Sequence, residues 1–308
     1  MPRSHTVSVV IPAHNAEETL SRALDSVFAQ TLQPFETVVV DDGSRDSTRR
    51  IAESYDNVRV LSQPVCEGAS GARNRGIQAA RGDLIAFLDA DDEWLPDKLK
   101  LQIPLFADGI EFISCGALLI DTNGINRGSV YTDRRPVSGE NAWRTLLAYN
   151  YIATPSVVAR RSSLLAVGGF DPALPFGEDQ DMWIKLSMRG RLGYVDQPLV
   201  LVHMSPNSLS CAEIKKQLLV TLPMILRHVE ARHTELTPAE VRAIIGERLT
   251  RLGRTALGRG PYHEGAGLLL RAIRLPYRPL SNSLLLLRAA PPTRWLKNRL
   301  RMLLARTP

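Results

Sequence analysis

The sequence predicts an α/β fold, a Rossmann-like, mostly parallel central sheet flanked by helices over residues 1–211, with an all-helical C-terminal appendage over residues 212–308. Three observations carry this. Short β-branched runs alternate with amphipathic stretches through the N-terminal part of the chain, which is the rhythm of a parallel sheet with helical crossovers. Three of those runs end in polar or acidic clusters, Pro12 to Asn15, Asp41-Asp42 and Asp89 to Asp92, as expected on the carboxyl edge of an open sheet, where ligands bind. Beyond about residue 211 strand signals cease, and prolines at 223, 238, 261, 276, 279, 291 and 292 are expected to cut the chain into short amphipathic helices.

The elements follow in order. Residues 7–11 (VSVVI) read as a buried strand ending at Pro12, and the next helix has Leu20, Ala23, Leu24, Val27 and Phe28 on one face, with Asn15 as its cap and Glu18 completing a capping box. Thr37 to Val40 is a second strand running into Asp41-Asp42-Gly43-Ser44, and a helix with Ile51, Ala52 and Tyr55 on one face comes after it. Val58 to Leu61 is a third strand. A helix from about Ser70 to Ala80, stopped by Gly82, leads to the strand Leu84 to Leu88 and then to Asp89-Ala90-Asp91-Asp92. The second half looks mixed: a strand from Phe112 to Ile120, a helix around Trp143 to Ala148, an apolar Val157-Val158, a helix over residues 178–190 with Met182, Trp183 and Leu186 inward, and a strand from Leu199 to Val202 ending at His203.

Bulk composition narrows the class. A hydrophobic fraction of 44% and a charged fraction of 23% are those of a soluble globular protein. No run approaches the roughly 18 apolar residues of a membrane span, and no apolar signal core precedes the first strand, so a cytoplasmic location is expected. Cys66, Cys115 and Cys211 lie far apart and read as ordinary thiols. The net charge of +6 hides an asymmetry: residues 212–308 hold 18 Lys and Arg against 6 Asp and Glu, and the rest of the chain is acidic. These arginines sit among leucines and alanines with no nucleic-acid module, so an anionic membrane surface or another anionic partner is expected for the tail and nucleic acid is not. Leu284 to Leu287, and Trp295 among Arg294, Lys297, Arg299 and Arg301, suit an interfacial helix or equally a packed one.

Asp89-Ala90-Asp91 is the strongest chemical feature. Carboxylates converging at a strand end repel one another, and a hard divalent cation relieves the repulsion while bridging diphosphate oxygens. An acidic solvated turn with Asp92 capping the next helix is the plainer alternative. Arg73, at the start of the helix before this strand, is expected either to neutralise a donor's phosphates or to be solvated. Glu178-Asp179, with Asp181, at a helix N-terminus reads by itself as charge complementation of the helix.

VSVVIPAHNAEETLSRALDSVFAQT, ETVVVDDGSRDST and GASGARNRGIQAARGDLIAFLDADDEWLPDKL occur in this order and resemble the donor half of inverting family 2 glycosyltransferases with the GT-A fold. The likeness is close over residues 7–102 and looser from Val157 to Ser210, through VVARRSSLLAVGGFD, FGEDQDMWIKL and PLVLVHMSPNSLS. It implies a catalytic domain over residues 1–211, with a donor half to about 103 and an acceptor half from about 104. Pro12 and Ala13 would give backbone contacts to base and ribose, and His14 stands where the family usually has an aromatic ring beside the base. Glu17 would approach the ribose, and Asp41 would accept from an imide nitrogen. Asp89 and Asp91 would hold ribose and metal, with His203 joining the metal shell. Asp179 would be the base and Glu178 would orient acceptor or loop. The implied cofactor is Mn²⁺ or Mg²⁺, the donor a nucleotide-diphospho-sugar with UDP favoured, and the acceptor a carbohydrate or lipid-linked hydroxyl in bacterial cell-surface polysaccharide or glycolipid synthesis.

Two enzymatic alternatives fit less well. A sugar nucleotidyltransferase wants a Gly-rich phosphate loop where this chain has Pro-Ala-His-Asn, and a processive synthase wants spans and Gln-x-x-Arg-Trp where this chain has Pro291 three residues before Arg294. A non-catalytic nucleotide-binding or membrane-surface scaffold on the same sheet is opposed by the intact acidic sets at Asp41, Asp89, Asp91 and Asp179.

Overall fold

The computed structural model describes residues 5–130, 136–204, 214–259, 262–275, 281–283 and 285. The chain divides into two compact units, residues 1–146 with 150–211, and residues 147–149 with 212–308.

Within the first unit the described residues form one nine-stranded sheet. Its strands are β1 (Val7–Ala13), β2 (Glu36–Asp42), β3 (Val58–Gln63), β4 (Leu84–Phe87), β5 (Glu93–Trp94), β6 (Ile110–Ile120), β7 (Asn126–Ser129), β8 (Val158–Arg160) and β9 (Arg191–His203). The spatial order is β3-β2-β1-β4-β8-β6-β9-β5, with β7 paired to β6 off this path. The β3-β2-β1-β4 pairings are all parallel, whereas β8 runs antiparallel to both β4 and β6. β9 is parallel to β6 and antiparallel to β5.

The parallel block forms around short apolar, largely β-branched stretches at the centres of β1, β2 and β4. Val9, Val10, Ile11, Val38, Val39, Val40, Ile85 and Phe87 are all fully buried, as strands covered by helices on both faces must be. Its helices are α1 (Leu20–Phe28), α2 (Thr48–Glu53) and α3 (Gly68–Ala79); α4 (Lys98–Gln102), α5 (Ala142–Ala148), α6 (Arg161–Ala166) and α7 (Glu178–Arg189) follow. Register places the strand ends together: Ala13 is level with Asp41, and Val10 with Phe87, two residues before Asp89. The three polar clusters therefore share one edge.

Three local expectations are corrected. Asn15 does not cap α1, which begins at Leu20 with Thr19 in the cap position and no side-chain cap bond from Asn15 or Glu18. Asn15 instead adopts a left-handed φ of 47°, accepts the Arg45 N–H at 2.9 Å on Oδ1 and donates its own N–H to Ser44 Oγ at 3.0 Å, so it staples the β1 loop to the β2 loop. Asp92 does not cap the helix after β4 either, since Asp97 takes that position.

The third correction concerns the prolines. In the second unit Pro223 lies inside the 18-residue α8 (Ile214–Ala231), and Pro238 opens the 22-residue α9 (Pro238–Arg259). Proline at a first helical position sacrifices no bond, and Thr237 and Glu240 form a reciprocal capping box in front of α9. These helices are longer than the proline spacing suggests. α10 (Tyr262–Arg274) packs beside α9, with Leu249, Ala256, Leu268, Leu269 and Ala272 buried. The remaining prolines and the basic tail from residue 286 lie outside the described residues.

Gly76 brings α3 down onto β1: a Cβ there would meet Val10 Cγ1 at 2.3 Å. Gly76→Ala should therefore destabilise the fold by about 1–3 kcal/mol through overpacking, read as a lower denaturant midpoint; an unchanged midpoint would show that the helix rides higher than described.

Candidate active site

The carboxyl edge of the parallel block presents Pro12 half-buried and Ala13 buried at the end of β1, with the His14 ring exposed beyond them. His14 Nδ1 lies 2.7 Å from the Asp42 carbonyl oxygen, which can only accept, so Nδ1 carries the proton. Nε2 is then the acceptor for the Asn15 amide at 3.0 Å. Glu17 accepts the Ser47 N–H at 2.9 Å, and its own N–H donates to Asp46 at 3.1 Å, so it links two loops and caps no helix.

Successive strand side chains point to opposite faces, so Asp41 and Asp42 do different work. Asp41 is buried and closes the turn by accepting the Ser44 N–H at 3.2 Å. Asp42, which the sequence reading passed over, accepts the Glu67 and Gly68 N–H groups at 2.8 Å each and further bonds from Gln63 and Cys66. It anchors the N-terminus of α3, where exposed N–H groups favour an anion.

Arg73 differs from its expected place: it is the sixth residue of α3 and buried, not at the helix start. Its Nη2 donates to Asp89 Oδ1 at 2.7 Å and its Nη1 to Glu178 Oε1 at 3.1 Å, while the guanidinium sits 5.3 Å above the Phe170 ring. Burial opposes its charge, but Asp89 and Glu178 outweigh burial and raise its pKa above the ordinary arginine value. One side chain thus joins the end of β4 to the start of α7.

Beyond Asp89, Ala90 is buried and Asp91 half-buried. Burial, then the Asp89 charge, holds the Asp91 carboxyl above the usual range; Asp92 is raised further by burial, Asp89 and Asp91. Asp92 accepts the His203 N–H at 2.9 Å. The His203 ring is 2.7 Å from Glu93 Oε1, which also pairs with Arg22 Nε at 3.0 Å. Among the described residues no group of three His, Cys, Asp or Glu side chains is gathered to hold a metal ion, although His203 lies near enough for its charge to act on Asp91. The repelling pair Asp89 and Asp91 still fits a divalent cation, because hard carboxylate oxygens suit Mg²⁺ or Mn²⁺ and such ions take further ligands from phosphate and water.

On the other side of Arg73, Gly177 adopts a left-handed φ of 75° and turns the chain into α7, whose first turn carries Glu178, Asp179 and Asp181. Asp179 accepts the Gln180 N–H at 2.6 Å on Oδ1 and the Asn150 amide at 2.7 Å on Oδ2. Burial and the adjacent Glu178 charge push its pKa up to about 7. Asn150, Arg22 and Glu93 escaped the sequence reading. Arg22 and Glu93 sit near recognised motifs, whereas Asn150 lies in an uncharged stretch with no signal.

The sheet is mixed and not mostly parallel as expected: its β3-β2-β1-β4 block is parallel, its carboxyl edge gathers these acidic groups, and its second half turns antiparallel through β8, which is the GT-A fold of nucleotide-sugar glycosyltransferases. The chain is similar to Staphylococcus aureus TarS residues 1–349 solved in complex with UDP-GlcNAc, at 21% identity and a TM-score of 0.66 over 88% of this chain and 81% of that one. It is also similar to the mannosyltransferase PcManGT from Pyrobaculum calidifontis in complex with GDP-Man and Mn²⁺, at 19% identity and a TM-score of 0.55 over 96% and 89% of the two chains. The sequence profile of glycosyl transferase family 2 matches residues 8–165, and the chain belongs to that family.

Two relatives bear on substrate. The amylovoran biosynthesis glycosyltransferase AmsB of Erwinia amylovora is 34% identical over 211 residues, covering 64% of this chain and 69% of AmsB. The Escherichia coli UDP-Glc:alpha-D-GlcNAc-diphosphoundecaprenol beta-1,3-glucosyltransferase WfgD is 39% identical over 124 residues, covering 39% of this chain; the match spans about half of WfgD, 49%.

Arg73→Met would leave Asp89 and Glu178 without their buried partner. The expected cost is about 3–5 kcal/mol of stability at neutral pH, measured by denaturant unfolding; a loss under about 1 kcal/mol would show that the bridge is not maintained in solution.

Proposed function

We propose that the protein transfers a sugar from a UDP-sugar to an acceptor hydroxyl with inversion, with Mn²⁺ or Mg²⁺ as cofactor, in bacterial cell-surface polysaccharide or glycolipid synthesis. The observation that carries this is the Arg73 bridge, which puts the Asp89 strand end and the Glu178-Asp179 helix start at one locus. The name of the E. coli relative and the UDP-GlcNAc complex of TarS support a UDP-sugar donor, the name of the Erwinia relative supports polysaccharide biosynthesis, and the E. coli relative supports a sugar-diphospholipid acceptor.

Backbone groups of Pro12 and Ala13 and the His14 ring bind the base, Glu17 and Asp89 with Ala90 approach the ribose, and Asp41 accepts from the imide nitrogen. Asp91 and Asp89 hold the cation, and His203 is free to join them only after leaving Glu93. Charge on the departing diphosphate would be neutralised by a divalent cation held by Asp91 and Asp89. Asp179 accepts the acceptor's proton while the acceptor oxygen forms its bond to the anomeric carbon from the face opposite the breaking carbon–diphosphate bond. Glu178 orients the acceptor side. Arg73 fixes Asp89 and Glu178 relative to each other.

No helix among the described residues is long and apolar enough to cross a membrane. A cytoplasmic protein lying peripherally on the inner face of the membrane, held by the basic tail, fits a lipid-linked acceptor. Deleting residues 284–308 should weaken partitioning onto anionic vesicles, and unchanged partitioning would remove the tail from the proposal.

The donor is tested by thermal melting with nucleotides and Mn²⁺: UDP with Mn²⁺ should raise Tm, because a ligand that binds only the folded state stabilises it. Asp91→Ala should lose that metal-dependent rise. Asp179→Asn should keep it yet lower turnover about a hundred- to ten-thousand-fold, the usual share of a general base. Because Asp179 must be ionised to act and its pKa is raised to about 7, kcat/KM should climb with pH up to that region and then level off. A flat profile from pH 5 to 8 would exclude Asp179 as the base.

A further inference from the structure

Asn150 precedes Tyr151 and Ile152 in the loop between α5 and β8, far from any acidic motif in sequence, yet its amide reaches the Asp179 carboxylate. The loop is anchored on both sides. Before it, the Leu146 carbonyl accepts the Gln180 side-chain amide, which ties the end of α5 to α7. After it, Tyr151 and Ile152 are buried and the Tyr151 hydroxyl donates to the Val137 carbonyl at 2.7 Å.

The orientation of the Asn150 amide is fixed by chemistry. Its Oδ1 accepts the Ile152 N–H at 3.1 Å, a bond only the oxygen end can make, so the NH₂ end faces Asp179 Oδ2 and can only donate. With Gln180 N–H on Oδ1 and Asn150 on Oδ2, both oxygens of Asp179 carry a donor, which sets the plane of the carboxylate and leaves one lone-pair direction on each oxygen open. A donor that cannot accept also favours the ionised carboxylate over the acid.

We infer that Asn150 is a positioning residue for the reaction: it aims Asp179 and holds it in the proton-accepting form. The inference rests on Asp179 being the base. Asn150 opposes burial and Glu178, which push Asp179 toward the neutral acid, and so does Arg73.

The test is titration of the Asp179 side-chain carboxyl carbon by NMR in protein labelled with ¹³C-aspartate, the signal being assigned by its absence in Asp179→Asn. Asn150→Ala should move the midpoint upward by about one pH unit, the size expected for losing a hydrogen bond to a charged group. Asn150→Asp, equal in size but presenting a third carboxylate, should move it further. In UDP release from UDP-glucose with Mn²⁺ the acidic limb should shift in the same order, lowering kcat at pH 6.5 with the donor KM unchanged. A wild-type midpoint in both variants overturns the inference, and so does a shift in Asn150→Ala that the isosteric Asp does not share, since that would mark packing. Wild-type UDP release by Asp179→Asn would instead overturn the base assignment, and the titration still decides the role of Asn150.

Discussion

The arrangement of the site depends on one buried cation. A guanidinium removed from water is strongly destabilising unless carboxylates surround it, and Arg73 meets two, from Asp89 at the end of β4 and Glu178 at the start of α7. The two acids lie far apart in sequence and on different elements. Neither element can move away without leaving a charge stranded, so the pair of contacts fixes the distance between the strand end that carries Asp91 and the helix end that carries Asp179. The Phe170 ring beneath the guanidinium and the Asn74 side chain, which bonds the Phe170 N–H and carbonyl, hold the helix from the other side.

The remaining acids divide by how fully the backbone satisfies them. Glu17 and Asp42 accept backbone N–H groups from neighbouring loops and Asp41 accepts one within its own turn, and this is how the β1, β2 and β3 loops keep their shapes. Asp91 and Asp92 crowd against Asp89 and are raised by burial and mutual repulsion, although Asp92 also accepts the His203 N–H. Asp89 is held by Arg73 and Asp92 by the His203 N–H, whereas the crowding of Asp91 against Asp89 lowers stability and is a repulsion that a bound dication would relieve.

Much of this was legible in the sequence for a physical reason: the parallel block is built from contiguous apolar runs, and VSVVI and ETVVV can be little else. The acidic clusters at their ends were legible too. The second half was only partly so, because β5 and β8 are two and three residues long, below any pattern, and because β8 turns antiparallel at a point that no local signal marks. Asn15 misled as a cap because its preference for turns and caps is the same chemistry, and the partner chosen was a neighbouring loop. Pro223 misled because a helix interior can hold proline when packing repays the missing bond. The partners of Arg73 and Asn150 are tertiary facts, set by which loops the sheet brings to one edge.

The state of Asp179 follows from opposed influences that arrive on separate elements. Burial and Glu178, its neighbour on the same helix, favour the acid; Arg73 from α3, Asn150 from the loop before β8 and the Gln180 N–H favour the anion. For the role proposed for Asp179, a base whose pKa lay near the ordinary carboxylate value would be ionised but too weak to draw a proton from a sugar hydroxyl, and one pushed far higher would be protonated at neutral pH. The balance near pH 7 is where the product of ionised fraction and basicity is largest. Glu178 at the helix start, the Asn150 donor and the Arg73 charge act on it together, so groups from three separate elements set the state of this one carboxylate.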